Sequence, residues 1–300
     1  MKQRLRLGLC CAFAGEPIRF RRTTASYLAR SRRRERLAFL RDLAADNARA
    51  LGLAVDWCAT RGVGAFRITS QLLPVYTHPE MGYRVEEIDR GGTIRAAFAA
   101  VRDRAASEGI RLSFHPDQFV VPGSIRADVV DRSLVELEYM GLAAEMVGAE
   151  QITLHGGGAQ GGKKDALDRL ARGLDRLTDR ARSRIALEND DCVYTVEDLL
   201  PLCRTAAIPL VYDAHHHRCN PDSLRIEEAT RLSAETWGPR EPWAHISSPK
   251  GGWSSRAPRL HADFIRPADF PAAWRGRRMT VDVEAKSKEL AVLRLRGQLG

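Results

Sequence analysis

The stretch Ile208–Pro221, IPLVYDAHHHRCNP, is an apolar run that stops at an aspartate and passes directly into three histidines. Ile208, Pro209, Leu210, Val211 and Tyr212 make a short continuous block, the pattern of a strand buried on both faces in a parallel sheet. Asp213 stands where that strand ends. A carboxylate there and an imidazole on the turn leaving the strand can converge on one hard or borderline cation. Either His215 or His216 can supply the nitrogen; the competing reading is a solvated polar loop with unrelated histidines. The other strand ends decide between them.

Working outward, the same alternation recurs. Strands are predicted at Arg4–Cys11, Gly64–Ile68, Ile110–Phe114, Gln151–Leu154, Ile185–Leu187, Ile208–Tyr212, Trp243–Ile246 and Thr280–Val283. Gly8, at the centre of the first, allows close packing. A helix over Glu35–Ala59 has Leu37, Leu40, Leu43, Leu51, Ala54 and Cys58 near one face. Further helical patterns cover Thr93–Glu108, Ile125–Val147, Lys164–Arg182, Thr195–Thr205, Ser223–Glu235 and Lys288–Gly297. Strands alternating with helices call for a parallel sheet, and eight such units point to a (β/α)8 TIM barrel, one domain over residues 1–300. An open doubly wound sheet is the competitor, and no GxGxxG or Walker motif supports it.

Composition narrows the class. No apolar run approaches the ~18 residues of a membrane span, and the apolar part of the N-terminus is too short for a signal peptide, so a soluble cytoplasmic protein is expected. The six cysteines are scattered without a CxxC pair, which argues against a disulfide framework or zinc ribbon and for small buried hydrophobes. Lys plus Arg number 47 against 38 acidic residues, a formal charge of +9, and the cations are nearly all arginine. Such an excess favours a polyanionic partner, although arginine preference also follows genome composition. Much of it lies in residues 12–34, predicted as a basic first βα loop in which Arg19, Arg21, Arg22, Arg30 and Arg32–Arg34 surround Phe20 and Tyr27. A solvated loop or a phosphate-contacting, base-stacking one fits that composition.

In such a barrel the chemistry sits at the C-terminal rim. The predicted strands run into Thr69-Ser70-Gln71 and His78, into His115-Pro116-Asp117-Gln118-Phe119, into His155-Gly156-Gly157-Gly158, into Glu188, Asp213, His245 and Glu284. All eight histidines fall on this side and none in a predicted helix. Carboxylates crowded at a barrel mouth repel unless cations neutralise them, which imidazoles do weakly at neutral pH. Bound divalent ions solve the problem, and the donors exceed the needs of one, so two or three ions with a bridging carboxylate are expected. Clustered ions under a basic surface suit phosphodiester hydrolysis. Gly156–Gly158 would let a phosphate approach the backbone, and Lys250 before Gly251-Gly252 is a candidate phosphate contact.

The blocks FRITSQLLPVYTH, LSFHPDQFV, LHGGG, LENDD, YDAHHH, HISSP and VDVEAKSKEL resemble, in order and spacing, the motifs of the UV damage endonuclease family, TIM-barrel repair enzymes related to the endonuclease IV type. The resemblance implies nicking of double-stranded damaged DNA 5′ of a lesion with divalent ions, usually manganese, and no membrane or protein partner. Carried over motif by motif, it implies the ligands His78, His115, His155, Glu188, Asp213, His216, His245, His261 and Glu284. It prefers His216 to His215 and makes Gln118 and Phe119 the lesion wedge; Glu188, Asp213 and Glu284 are expected to be the catalytic carboxylates, and the basic composition adds Arg21, Arg22 and Lys250 as expected DNA contacts. Three positions depart from the family pattern. Leu9 follows Gly8 where a tyrosine is usual, Phe119 replaces the tyrosine of a Gln-Tyr wedge, and Trp243 replaces a lysine that is carboxylated in some members. Two other readings share these features: a xylose-isomerase-type sugar isomerase or epimerase, and a lesion-binding protein without catalysis.

Overall fold

The computed structural model describes residues 5–300, so Arg4 lies outside the described residues. In chain order the elements are β1 (Leu5–Cys10), α1 (Ala25–Leu28), α2 (Arg33–Arg61), β2 (Ala65–Ile68), α3 (Val85–Ile88), α4 (Thr93–Glu108), β3 (Arg111–Phe114), α5 (Ala127–Val147), β4 (Gln151–His155) and α6 (Lys163–Leu174). They continue with α7 (Asp179–Arg182), β5 (Ile185–Glu188), α8 (Val196–Thr205), β6 (Leu210–Asp213), α9 (Ala214–Cys219), α10 (Ile226–Glu235), β7 (Trp243–Ile246), β8 (Met279–Val283) and α11 (Lys288–Leu299). The strands pair in sequence order, each parallel to the next, and β8 closes on β1. The predicted (β/α)8 barrel is therefore present, as are all its strands.

Three segments differ from expectation. The predicted helix Lys164–Arg182 is split, because Glu138 of α5 accepts from both the N–H (2.6 Å) and the hydroxyl (2.7 Å) of Thr178 and holds that residue extended. The basic loop carries the single turn α1, capped by the Thr24 hydroxyl. The three histidines after β6, expected on a turn, lie on the short helix α9.

Strand side chains alternate between the helix layer and the barrel interior. Leu7, Leu9, Phe66, Ile68, Leu112, Phe114, Leu187 and Val283 belong to the buried apolar layer under the helices. Leu9 thus points away from the barrel mouth, so the residue after Gly8 does not face a ligand there. The interior is unusually polar. Arg111 stacks at 4.0 Å on the Trp243 ring and bonds Glu150 (2.7 Å) and Thr280 (2.7 Å). Trp243 fills the space left by Ala65, Ala186 and Val211, forming the barrel's small apolar plug. Above it, a Cβ on Gly8 would lie 2.1 Å from Asp282 Oδ1: the missing side chain is what admits the carboxylate. The cysteines are all free, and Cys192 is exposed rather than buried.

Candidate metal centre

Glu188 ends β5 with its side chain fully buried, pointing into the barrel mouth. Four imidazoles surround it. His115 Nε2 lies 2.9 Å from Oε2 and His155 Nε2 3.7 Å, while His245 Nδ1 lies 2.8 Å from Oε1 and His216 Nδ1 3.4 Å. Glu284 adds a second carboxylate, 3.6 Å from His245 Nδ1 and 3.7 Å from His261 Nδ1, and Asp213 Oδ2 a third, 3.7 Å from His216 Nδ1. Eight of the nine ligands implied by the sequence motifs, all but His78, are joined in this way through β3, β4, β5, β6–α9, β7 and β8.

Asp213 explains why α9 forms. Its Oδ1 accepts the His216 N–H at 2.7 Å and caps the helix, while its backbone exchanges two 2.9 Å bonds with the Asn189 side chain. Its Oδ2 is buried with no hydrogen-bond partner. One oxygen holds the fold and the other is aimed, unspent, at the centre. The neighbouring histidines are also oriented from behind. His115 Nδ1 donates to the Pro116 carbonyl (3.0 Å), which turns its Nε2 toward Glu188, and His216 Nδ1, the nitrogen nearest Glu188 and Asp213, also lies 3.0 Å from the Asn189 carbonyl. His115, His155 and Glu188 form one group with donors near enough to share a cation; Glu188, Asp213 and His216 form another. An orphaned carboxylate oxygen amid imidazole nitrogens fits divalent ions, with Glu188 common to both groups.

Burial alone would push the Glu188 carboxyl up, but His245, His155, His115 and His216 hold it well below the usual carboxylate range. Burial would likewise make the His216 imidazole less basic, yet Asp213 and Glu188 raise it well above the usual value; His245 is raised by Glu188. His155, by contrast, is lowered by burial. In the absence of an ion a proton on His216 or His245 is therefore favoured, and a bound cation would take its place.

Two residues that motif reading missed, Arg67 and Asp282, complete the wall. Arg67 of β2 donates to Glu284 Oε1 (2.5 Å) and Asp282 Oδ2 (3.1 Å), and its Nη2 meets His245 Nε2 at 2.9 Å. Their signal was available: each is a charge in an otherwise apolar strand, two residues before a polar rim residue and so on the same face. The motifs' other positions divide. His78 makes no hydrogen bond or ion pair with the cluster among the described residues; its Nδ1 accepts the N–H groups of Glu80 (3.2 Å) and Met81 (3.1 Å). His215 is buried behind His261 and against Trp253, ring centroids 5.1 and 5.3 Å away. His217 is clamped between Tyr212 Oη (2.6 Å) and Asp222 (3.2 Å).

Around the mouth, Phe119 is 79% exposed beside the exposed Gln118. Both line a cavity of about 980 Å³ with Gln71, Tyr76, His78 and Glu136. Lys250 and Arg22 are exposed, whereas Arg21 is tied to Asp46 and lies 5.5 Å over the Phe39 ring. The places of side chains at Gly156–Gly158 are taken by Tyr194, Val121 and Gln160. Gly157 also has φ +83°, a conformation that glycine adopts without strain.

Comparison with known proteins agrees with this architecture. The UV DNA damage endonuclease of Bacillus pumilus (strain SAFR-032) is 31% identical over 284 residues, covering 91% of this chain and 86% of that one. That of Bacillus velezensis (strain DSM 23117 / BGSC 10A6 / LMG 26770 / FZB42) is 33% identical over 263 residues, 80% and 76%. The crystal structure of SacUVDE superposes with a TM-score of 0.87 at 24% identity, covering 98% of each chain. Endonuclease IV from Thermus thermophilus gives 0.62 at 17% over 98% of each, and a D-psicose 3-epimerase 0.51 at 14% over 81% and 83%. The family described as UV-endonuclease UvdE matches residues 5–300, and the chain belongs to it.

Proposed function

We propose that this protein is a metal-dependent DNA-repair endonuclease of the cytoplasm that nicks the phosphodiester backbone 5′ of a UV-type or other distorting lesion in double-stranded DNA. The observation that carries the reading is the buried Glu188 carboxylate inside four imidazoles, with Asp213 Oδ2 unpartnered beside it. His115, His155, Glu188, Asp213, His216, His245, His261 and Glu284 would hold two or three divalent ions, manganese first among them. Such ions would supply Lewis-acid chemistry there: water activation and charge neutralisation for phosphodiester hydrolysis.

The protein's own groups prepare that centre. Glu188 bridges the two donor groups, and its burial excludes bulk water from the oxygens that face them. Arg67 holds Glu284 and the far nitrogen of His245, fixing both toward the mouth. Phe119, with Gln118, stands free to insert where base pairing is already weakened, and keeps a stacking plane where the family has tyrosine. Trp243, packed with Ala65, Ala186 and Val211, supplies no oxygen to the site, so its protein ligands would be imidazoles and carboxylates only.

The test uses a duplex with one pyrimidine dimer, end-labelled on the damaged strand. Nicking adjacent to the dimer in Mn²⁺, none in EDTA, and none on the undamaged duplex are expected. Binding without nicking in any divalent metal refutes catalysis; ketose epimerisation without lesion nicking supports the sugar-isomerase reading.

A further inference from the structure

A second basic feature lies on the same rim, one helix layer outside the metal centre. A cleft of about 870 Å³ opens between the N-terminal turns of α2 and the segment from α3 to the start of α4. Arg33, Arg34, Arg41 and Arg90 line it, with Leu37 and Ile88 in its wall. Both elements begin on loops that leave strands β1 and β2, so the cleft faces the side on which the ions and Phe119 lie.

Its two acids are already committed. Glu87 pairs with Arg33, and Asp89 accepts the Ile94 and Arg95 N–H groups at 2.9 Å each, capping α4. Arg41 is paired with Asp42 (3.0 Å). Arg34 and Arg90 are exposed and have no carboxylate within salt-bridge distance among the described residues. Two unpaired guanidiniums beside acids already engaged by Arg33 and by backbone N–H groups suit a polyanion that spans several positions of an open groove, rather than one enclosed ligand.

We propose that this cleft binds the sugar-phosphate backbone of the duplex arm flanking the lesion, with Arg34 and Arg90 each on a phosphate. This rests on the endonuclease reading for the identity of the DNA, but not on catalysis. It assigns the cleft to one arm of the duplex and gives it a share of affinity that carries no sequence or lesion information.

The test is equilibrium binding of a dimer-containing duplex in EDTA, so that failure to nick does not enter it. R34Q/R90Q is compared with wild type and with R275Q/R277Q, which removes the same charge from the exposed turn before β8 at the opposite end of the barrel. With two phosphates no longer neutralised by arginine, the slope of log affinity against log salt falls by about 1.8, which is about tenfold in affinity between 50 and 200 mM salt. R275Q/R277Q leaves the slope near the wild-type value. Trimming the duplex on one arm removes the difference between R34Q/R90Q and wild type, and trimming the other arm does not. An unchanged slope overturns the proposal, as does a deficit that survives both trimmings or is matched by the opposite-end variant. Wild type that binds with this slope but never nicks would leave the cleft standing and remove the endonuclease reading.

Discussion

Glu188→Gln is the sharpest single perturbation of the centre, because it keeps shape and removes charge. Its carboxylate receives His245 at 2.8 Å and His115 at 2.9 Å with no solvent access. Hydrogen bonds to a charged group contribute about 1.5–3 kcal/mol each, roughly twice the neutral kind, and the amide has one acceptor oxygen where the carboxylate has two, so it loses one bond outright and about half of the other, about 2–4.5 kcal/mol. Removing the carboxylate's burial cost returns part of that, and metal-free Tm is expected to move by only a few degrees. The ion-bound protein behaves differently. A hundredfold loss of ion affinity withdraws about 2.7 kcal/mol of ion-induced stabilisation, about 5–10 °C of Tm at ~2–4 °C per kcal/mol. Losing ion placement at the reacting phosphate costs several kcal/mol more, about 10³-fold in nicking. Thermal melts with and without Mn²⁺, run beside single-turnover nicking, read both effects. A variant that keeps the wild-type ion-induced gain in Tm and a comparable nicking rate would refute the bridging role.

Gly8→Ala places a methyl 2.1 Å from Asp282 Oδ1, forces that carboxylate off Arg67, and should cost about 1–3 kcal/mol in urea unfolding; an unchanged midpoint would contradict the close approach. Phe119→Ala, at an exposed position, should leave stability within about 0.5 kcal/mol while reducing the preference for damaged over intact duplex, and a lower Tm would mean the ring is a packing residue instead. In EDTA, His216 and His245 have folded values raised above the unfolded ~6.5, so their contribution is fully present below that pH and is lost as pH rises through the folded values. Saturating Mn²⁺ displaces those protons, so the ion-induced gain in Tm should grow with pH over the same window; a pH-independent gain would show that the rings do not exchange protons for the ion.

The barrel was legible because its strands are buried on the outer face by helices and on the inner by one another, which leaves short apolar runs that end in polar residues. The residues gathered at the candidate centre were legible for the same reason: a run such as Ile185–Leu187 stops at Glu188 because the next inward side chain meets the mouth. Reach was not legible. His78 and His115 look equivalent in their motifs, but His78 is held by a loop whose amides of Glu80 and Met81 fix its ring. Arg67 and Asp282 were passed over because a charge inside a strand has meaning only once its cross-barrel partner is known, and they lie 215 residues apart in sequence. Trp243 could be noted as a departure, but only the structure supplies its counterparts Ala65 and Ala186.

The stretch IPLVYDAHHHRCNP shows why fold and site resist separate reading. Nothing in DAHHHRC announces a helix: the histidines are weak helix formers and the segment is too short to be stable alone. It is helical because Asp213 Oδ1 caps the His216 N–H, while Asn189 pins the Asp213 backbone and the His216 ring. That single turn brings His216 round to Glu188, and turns His215 and His217 away into packing and a Tyr212–Asp222 clamp. Because capping uses one carboxylate oxygen and leaves Oδ2 buried and unpaired, the residue that makes the helix is also the one with most to gain from an ion. Asp213→Asn should therefore lose ion binding more than its cap, since the amide oxygen can still accept from His216 N–H; Asp213→Ala should lose both.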